Sequence, residues 1–256
     1  MASAAASLFI LTGASRGMGR AMASQLLARG SGVQLLCISR RTDAALEAEA
    51  ARAGSQVVQW SLDLADPVPA AQQLGQWLAG LAGLDGAAFG AATLINNAGT
   101  VGDPAPLAQA ALPALSQALR VGLEAPLLLT AAFLHATAGW AGRRQVLNIS
   151  SGLGRNAMGS QAPYCAAKAG MDHFSRAVAL ESGGARIVSL APGVIDTDMQ
   201  VQLRSADAAL FPDRGRFEKL KSEGMLDSPE SAARKVLAWL ERPDFGDQPV
   251  ADVRQG

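Results

Sequence analysis

A single doubly wound α/β domain, with one parallel sheet covered by helices on both faces, is expected of this 256-residue chain. Three observations lead there. Short, uniformly apolar runs alternate along the sequence with longer stretches rich in Ala, Leu, Glu and Gln, and strict strand–helix alternation makes parallel βαβ units with right-handed crossovers. Hydrophobic residues form 49% of the chain and aromatics only 5%, so its apolar content is the Ala, Leu and Val of packed helices and buried parallel strands. The length suffices to bury roughly 70% of the surface exposed by the unfolded chain, without a disulfide or metal.

Taken in order, the apolar runs place strands at 8–11, 33–38, 57–60, 93–95, 145–149 and 187–190. The intervening stretches 17–29, 43–53, 68–81, 112–137 and 164–181 have the composition of helices. After Pro192-Gly193 the pattern changes. Residues 205–226 are more charged, and the segment of about 200–227 is expected to cover a substrate. Ser228-Pro229-Glu230 then reads as an N-cap with proline at the first helical position, opening a helix over 231–241. Turn-forming residues at 245–249 precede a short last strand near 250–253.

Charge and composition exclude several classes of function. The 22 Lys and Arg balance 22 Asp and Glu, which argues against the basic face that nucleic acid binding requires. Two cysteines, Cys37 and Cys165, are too few for a disulfide framework and fit a cytoplasmic, reducing compartment. Residues 1–7 lack the charged and apolar regions of a secretory signal and are expected to be a frayed end. The uncharged run 125–142 contains Pro126, Thr130, His135, Thr137 and two glycines, the pattern of a buried helix rather than a membrane span. It is too apolar to face water all round, so a homodimer or homotetramer is expected. His135 and His173 have no partners at metal-ligand spacing, and no metal site is expected.

The first strand runs into Thr12-Gly13-Ala14-Ser15-Arg16-Gly17-Met18-Gly19. Gly13, Gly17 and Gly19 permit a tight turn, close backbone approach to a pyrophosphate and close helix packing, while Ser15, Arg16 and Met18 carry the helix N-terminus with its free N–H groups. At the end of the second strand, where a fold that prefers NAD places an acidic residue against the ribose hydroxyl, this chain has Arg40 and Arg41. With Arg16 they can bracket a 2′-phosphate, so NADP(H) is the expected cofactor.

Ser151 follows the fifth strand, and Tyr164 and Lys168 stand at i and i+4 on the helix that comes next. That spacing puts both on one helical face, so an ammonium can sit below a phenol and, with a nicotinamide cation nearby, lower its pKa. Ser151 would hold a substrate carbonyl oxygen, Tyr164 would protonate it, and Lys168 would also bind the cofactor ribose.

These stretches, with Asn96-Asn97-Ala98-Gly99, resemble the short-chain dehydrogenase/reductase family over residues 8 to about 199. The resemblance implies a Rossmann domain in which Asp63 and Leu64 meet the adenine, Asn97, Ala98 and Gly99 support the cofactor at the sheet end, and residues 192–199 flank the nicotinamide. Of these last, Pro192, Gly193, Ile195, Thr197 and Met199 are the expected contacts, Gly193 facing substrate as well. It also implies two-fold pairing of the helices at 112–137 and 164–181. Residues 148–151, 164–166, 191–193 and 196–200 are most similar to the branch that reduces the side-chain carbonyl of sepiapterin, in which Asp252 would anchor the pterin ring. Gly122 departs from the family, which has asparagine there to kink the helix and hold a relay water. Three readings stay open: a sepiapterin-like carbonyl reductase, a reductase of small vicinal diketones or aryl ketones such as benzil, and a non-catalytic NADP(H) sensor.

Overall fold

The computed structural model describes residues 6–82 and 89–255, so the expectation for the first five residues lies outside it. The apolar runs become β1 (Ala6–Thr12), β2 (Val33–Ser39), β3 (Gln56–Ser61), β4 (Phe89–Asn96), β5 (Arg143–Ile149), β6 (Arg186–Ala191) and β7 (Val250–Asp252). They form one sheet in the order β3-β2-β1-β4-β5-β6-β7, every neighbouring pair parallel. The chain builds outward from β1 to β3 and then crosses back to lay β4 on the other side of β1. The strand order therefore reverses between β1 and β4, and a crevice opens at their carboxyl ends.

Each strand alternates its side chains between two apolar layers. Phe9 and Leu11 of β1 pack on α1 (Gly17–Leu27), α2 (Ala44–Ala53) and α9 (Pro229–Leu240), whereas Leu8 and Ile10 face α3 (Pro67–Ala82) and the helices that follow β4. The Ser228 hydroxyl accepts from the Ser231 N–H and Pro229 stands in the first turn of α9, the expected cap.

The helix expected over 112–137 is divided. α4 (Leu112–Leu119) and α5 (Ala125–Ala136) are joined by a π turn over Arg120–Glu124, in which the Ala125 N–H reaches back to the Arg120 carbonyl. Pro126 has no N–H to give to the carbonyl of Gly122 four residues earlier, so the regular ladder is already broken at this point. Leu112–Ala136 is long and apolar enough to cross a membrane. Here it covers the sheet, with α5 against α3 and Leu129 and Phe133 fully buried.

α6 (Ala162–Ala179) follows β5. Between β6 and α9 lie α7 (Asp198–Arg204) and α8 (Arg214–Ser222), two helices that the charged composition of this segment does not announce. A bridge between Ile195 and Asp227 ties together the two ends of the excursion. Phe211 and Phe217 anchor it, packing on each other and, with Leu203, over Val101 and Tyr164.

Candidate active site

A cavity of about 1110 Å³ occupies the crevice at the strand ends. Its inner half is made largely of backbone. Gly13 turns the chain at φ 72°, and the Thr12 hydroxyl accepts from the N–H groups of Asn97 and Ala98, both at 2.9 Å. Asn97 Nδ2 donates in return to the carbonyls of Thr12 and Gly13. A Cβ on Gly19 would lie 2.0 Å from the Gly13 oxygen, and one on Gly13 would meet Ala98 Cα at 3.0 Å, so neither position accepts a side chain. The side chain of Arg16, the N-cap of α1, makes no capping bond, leaving the first N–H groups of the helix for an anion. This cradle fits the pyrophosphate of a dinucleotide.

Most of the expected cofactor contacts line the same cavity. Gly13, Ser15, Arg16, Gly17, Met18 and Gly19 form its floor, and Arg40, Asp63 and Leu64 stand at the β2 and β3 side. Asn97, Ala98 and Gly99 lie at the end of β4, with Pro192, Gly193, Ile195, Thr197 and Met199 opposite. Asp63 also caps a turn, its Oδ1 accepting from the Ala65 N–H. Two of the three expected phosphate clamps differ from expectation. Arg41 is exposed but lies off the cavity lining, because the chain turns outward after Arg40. Arg16 lines the cavity but reaches across its mouth to Asp198, with Nη1 2.7 Å from Oδ2 in a largely exposed ion pair. Such a pair contributes little and is readily exchanged for a doubly charged phosphate.

Ser151, Tyr164 and Lys168 meet at the middle of the cavity. Ser151 is positioned by the end of β5, and its Oγ accepts from the Leu153 N–H. Tyr164 and Lys168 project from one face of α6, the ammonium 5.7 Å from the phenol ring centre. Burial pushes the phenol up, and the hydrogen bond with Ser151 only partly opposes this. The phenol thus holds its proton, the state required of an acid. Burial lowers Lys168 to about 8, against the field of Asp172, and Nζ donates to the Ile149 carbonyl at 2.7 Å. Gly122 sits buried in the π turn directly behind this group, and a Cβ there would lie 3.0 Å from that of Ala167.

Asp252 is not a cavity residue. It is buried beneath the lining, and its carboxylate accepts from the backbone N–H and guanidinium of Arg254, which holds its pKa below the usual carboxylate range. Arg254 itself faces the cavity. The anchor expected to be acidic therefore presents a cation.

Three further residues carry no motif in the sequence. Asp172 lies one turn beyond Lys168 on α6 and accepts from the hydroxyls of Ser150 at 2.5 Å and Ser189 at 2.6 Å, with Arg155 Nε 3.5 Å from its other oxygen. Its i+4 spacing from Lys168 was the available signal. Gln161, one turn before Tyr164, and Gln200, in the first turn of α7, line the outer half of the cavity.

Fold and site together define a nucleotide-dependent oxidoreductase of the Rossmann type. The chain matches the short chain dehydrogenase family model over residues 7–208 and belongs to that family, which uses a nicotinamide cofactor. A benzil reductase ((S)-benzoin forming) from Bacillus cereus is 36% identical over 240 residues, 92% of this chain and 94% of the relative. Sepiapterin reductase from Rattus norvegicus is 35% identical over 245 residues, 92% of either chain. A solved short-chain dehydrogenase/reductase from Burkholderia vietnamiensis is 34% identical and superposes with a TM-score of 0.66, covering 98% of this chain and 99% of its own.

Proposed function

We propose that the protein is an NADPH-dependent reductase of ketones that carry a second oxygen function beside the reacting carbonyl. The observation that carries this reading is the convergence of Ser151, Tyr164 and Lys168 on one cavity that also contains the glycine cradle. A dinucleotide held by its pyrophosphate in that cradle would supply the hydride from its nicotinamide. Ser151 donates to the substrate carbonyl oxygen, and Tyr164, loaded with its proton by burial, delivers it to that oxygen as the alcohol forms. Lys168 holds positive charge beneath the phenol and eases the loss of that proton. Arg40 at the lip, and Arg16 once released from Asp198, favour a 2′-phosphate over a bare hydroxyl.

Between the two substrate classes, the geometry favours small vicinal diketones over pterins, because the carboxylate that would grip a pterin is already held by Arg254. The test is NADPH oxidation, followed by absorbance, with benzil, 1-phenyl-1,2-propanedione and sepiapterin. Turnover of the diketones with little of sepiapterin supports the reading, and turnover of sepiapterin alone reverses the order. NADPH binding without any turnover would point to a sensor. Assembly as a homodimer or homotetramer is part of the proposal, since Leu112, Leu119 and Leu127 of α4 and α5 and Leu180 after α6 are exposed on the helices that pair in this family. Light scattering that returns the mass of one chain at micromolar concentration would reject it.

A further inference from the structure

The outer half of the cavity combines apolar walls with amide atoms that have no partner among the described residues. Leu153, Met158, Leu203 and Phe217 supply the walls. Gln161 is 1% exposed, yet neither its Oε1 nor its Nε2 has a hydrogen-bond partner among the described residues. Gln200, 8% exposed, leaves Oε1 unpaired as well. Buried polar atoms are nearly always paired, because a bond left unmade there forfeits the solvation given up on folding. Both residues line the cavity, so a polar group of a ligand that entered it would complete such an amide once the side chain turned toward it.

Gln161 stands three residues before Tyr164 at the start of α6, beside the proton donor. We propose that Gln161 is a specificity-determining residue that binds the oxygen on the carbon next to the reacting carbonyl. Nε2 donates to the second carbonyl of a vicinal diketone, and Oε1 accepts from the hydroxyl of an α-hydroxy ketone. One amide serves both, since it has a donor and an acceptor, whereas an ammonium or a carboxylate serves only one. The apolar walls take the alkyl or aryl groups on either side. This assignment rests on the carbonyl-reductase reading above.

Gln161→Met tests it, because methionine keeps the length and removes both polar atoms. With NADPH, kcat/KM is measured for 1-phenyl-1,2-propanedione and for 1-phenyl-1-propanone, which has the same skeleton without the second oxygen. The ratio of the two is expected to fall at least tenfold in the variant, about 1.4 kcal/mol. Taking the ratio cancels the greater intrinsic reactivity of the diketone. Melting of the ligand-free protein is expected to rise by about 2 °C or more, since an unpaired amide has been replaced by a thioether. An unchanged ratio, or equal losses on both substrates, would overturn the assignment, as would a lower melting temperature, which would reveal a structural partner for the amide. A wild-type enzyme that reduces neither compound would overturn the carbonyl-reductase reading first, and the melting comparison would still report whether the amide lacks a partner.

Discussion

The two halves of the cavity are built on opposite plans. In the inner half, recognition is by backbone: Thr12, Asn97 and the glycine turn satisfy one another, and the space left over has the form of a pyrophosphate before any ligand arrives. In the outer half, recognition is by side chains contributed from α6, α7 and α8, and two of those side chains have polar atoms left unpaired. The inner half serves the nicotinamide cofactor that this family uses. An exchange of side chains in the outer half leaves the cradle untouched.

The largest effect is expected where the halves meet. Tyr164→Phe removes the proton donor and keeps the ring, so kcat/KM should fall by about 10²–10⁴-fold while the NADPH dissociation constant stays within about twofold. A parallel loss of cofactor affinity would show that the halves are not separable. Within the inner half, Gly19→Ala forces a methyl against the Gly13 carbonyl. It should cost about 1–3 kcal/mol of stability and weaken cofactor binding at least about fivefold, measured by thermal melting and titration calorimetry.

At the lip of the cradle, NADPH is expected to bind at least about tenfold tighter than NADH. Arg40→Asp should remove most of that preference, whereas Arg41→Asp, off the cavity lining, should change it less than about twofold. Equal effects at the two positions would place the phosphate outside the cavity described. The smallest effect is a displacement in pH. Lys168 loses its proton as pH rises through about 8, so kcat/KM for reduction should decline across that range. The negative charge of Asp172 helps to keep that proton on, and Asp172→Asn should therefore start the decline at lower pH. A decline that does not move would remove Asp172 from any part in tuning the site.

The unequal legibility of the two halves in the sequence has the same physical origin. Glycine spacing around Thr12, the strand–helix alternation and the i, i+4 pair of Tyr164 and Lys168 are short-range patterns, and each appears in the structure where the pattern puts it. Arg41 misled because a turn at a strand end places adjacent residues on different surfaces. Asp252 misled because its neighbour two residues on claims the carboxylate, a contact that a resemblance in residue type does not reveal. Gln161 and Gln200 were illegible for another reason: an amide near a helix start is ordinary, and only burial without a partner distinguishes it. α7 and α8 were obscured by charges that face solvent while only Gln200 and Leu203 of α7 and Phe217 of α8 are buried.

The π turn at Gly122 links two positions in the way they can change. A side chain at 122 has to enter space held by the Ala167 methyl, on the helix that presents Tyr164 and Lys168. Gly122→Asn alone therefore requires the neighbouring turn of α6 to give by a few tenths of an ångström, and Ala167→Gly would remove that contact. Positions 122 and 167 are therefore coupled, and a library that varies them together offers more ways of fitting a side chain here than one that varies 122 alone.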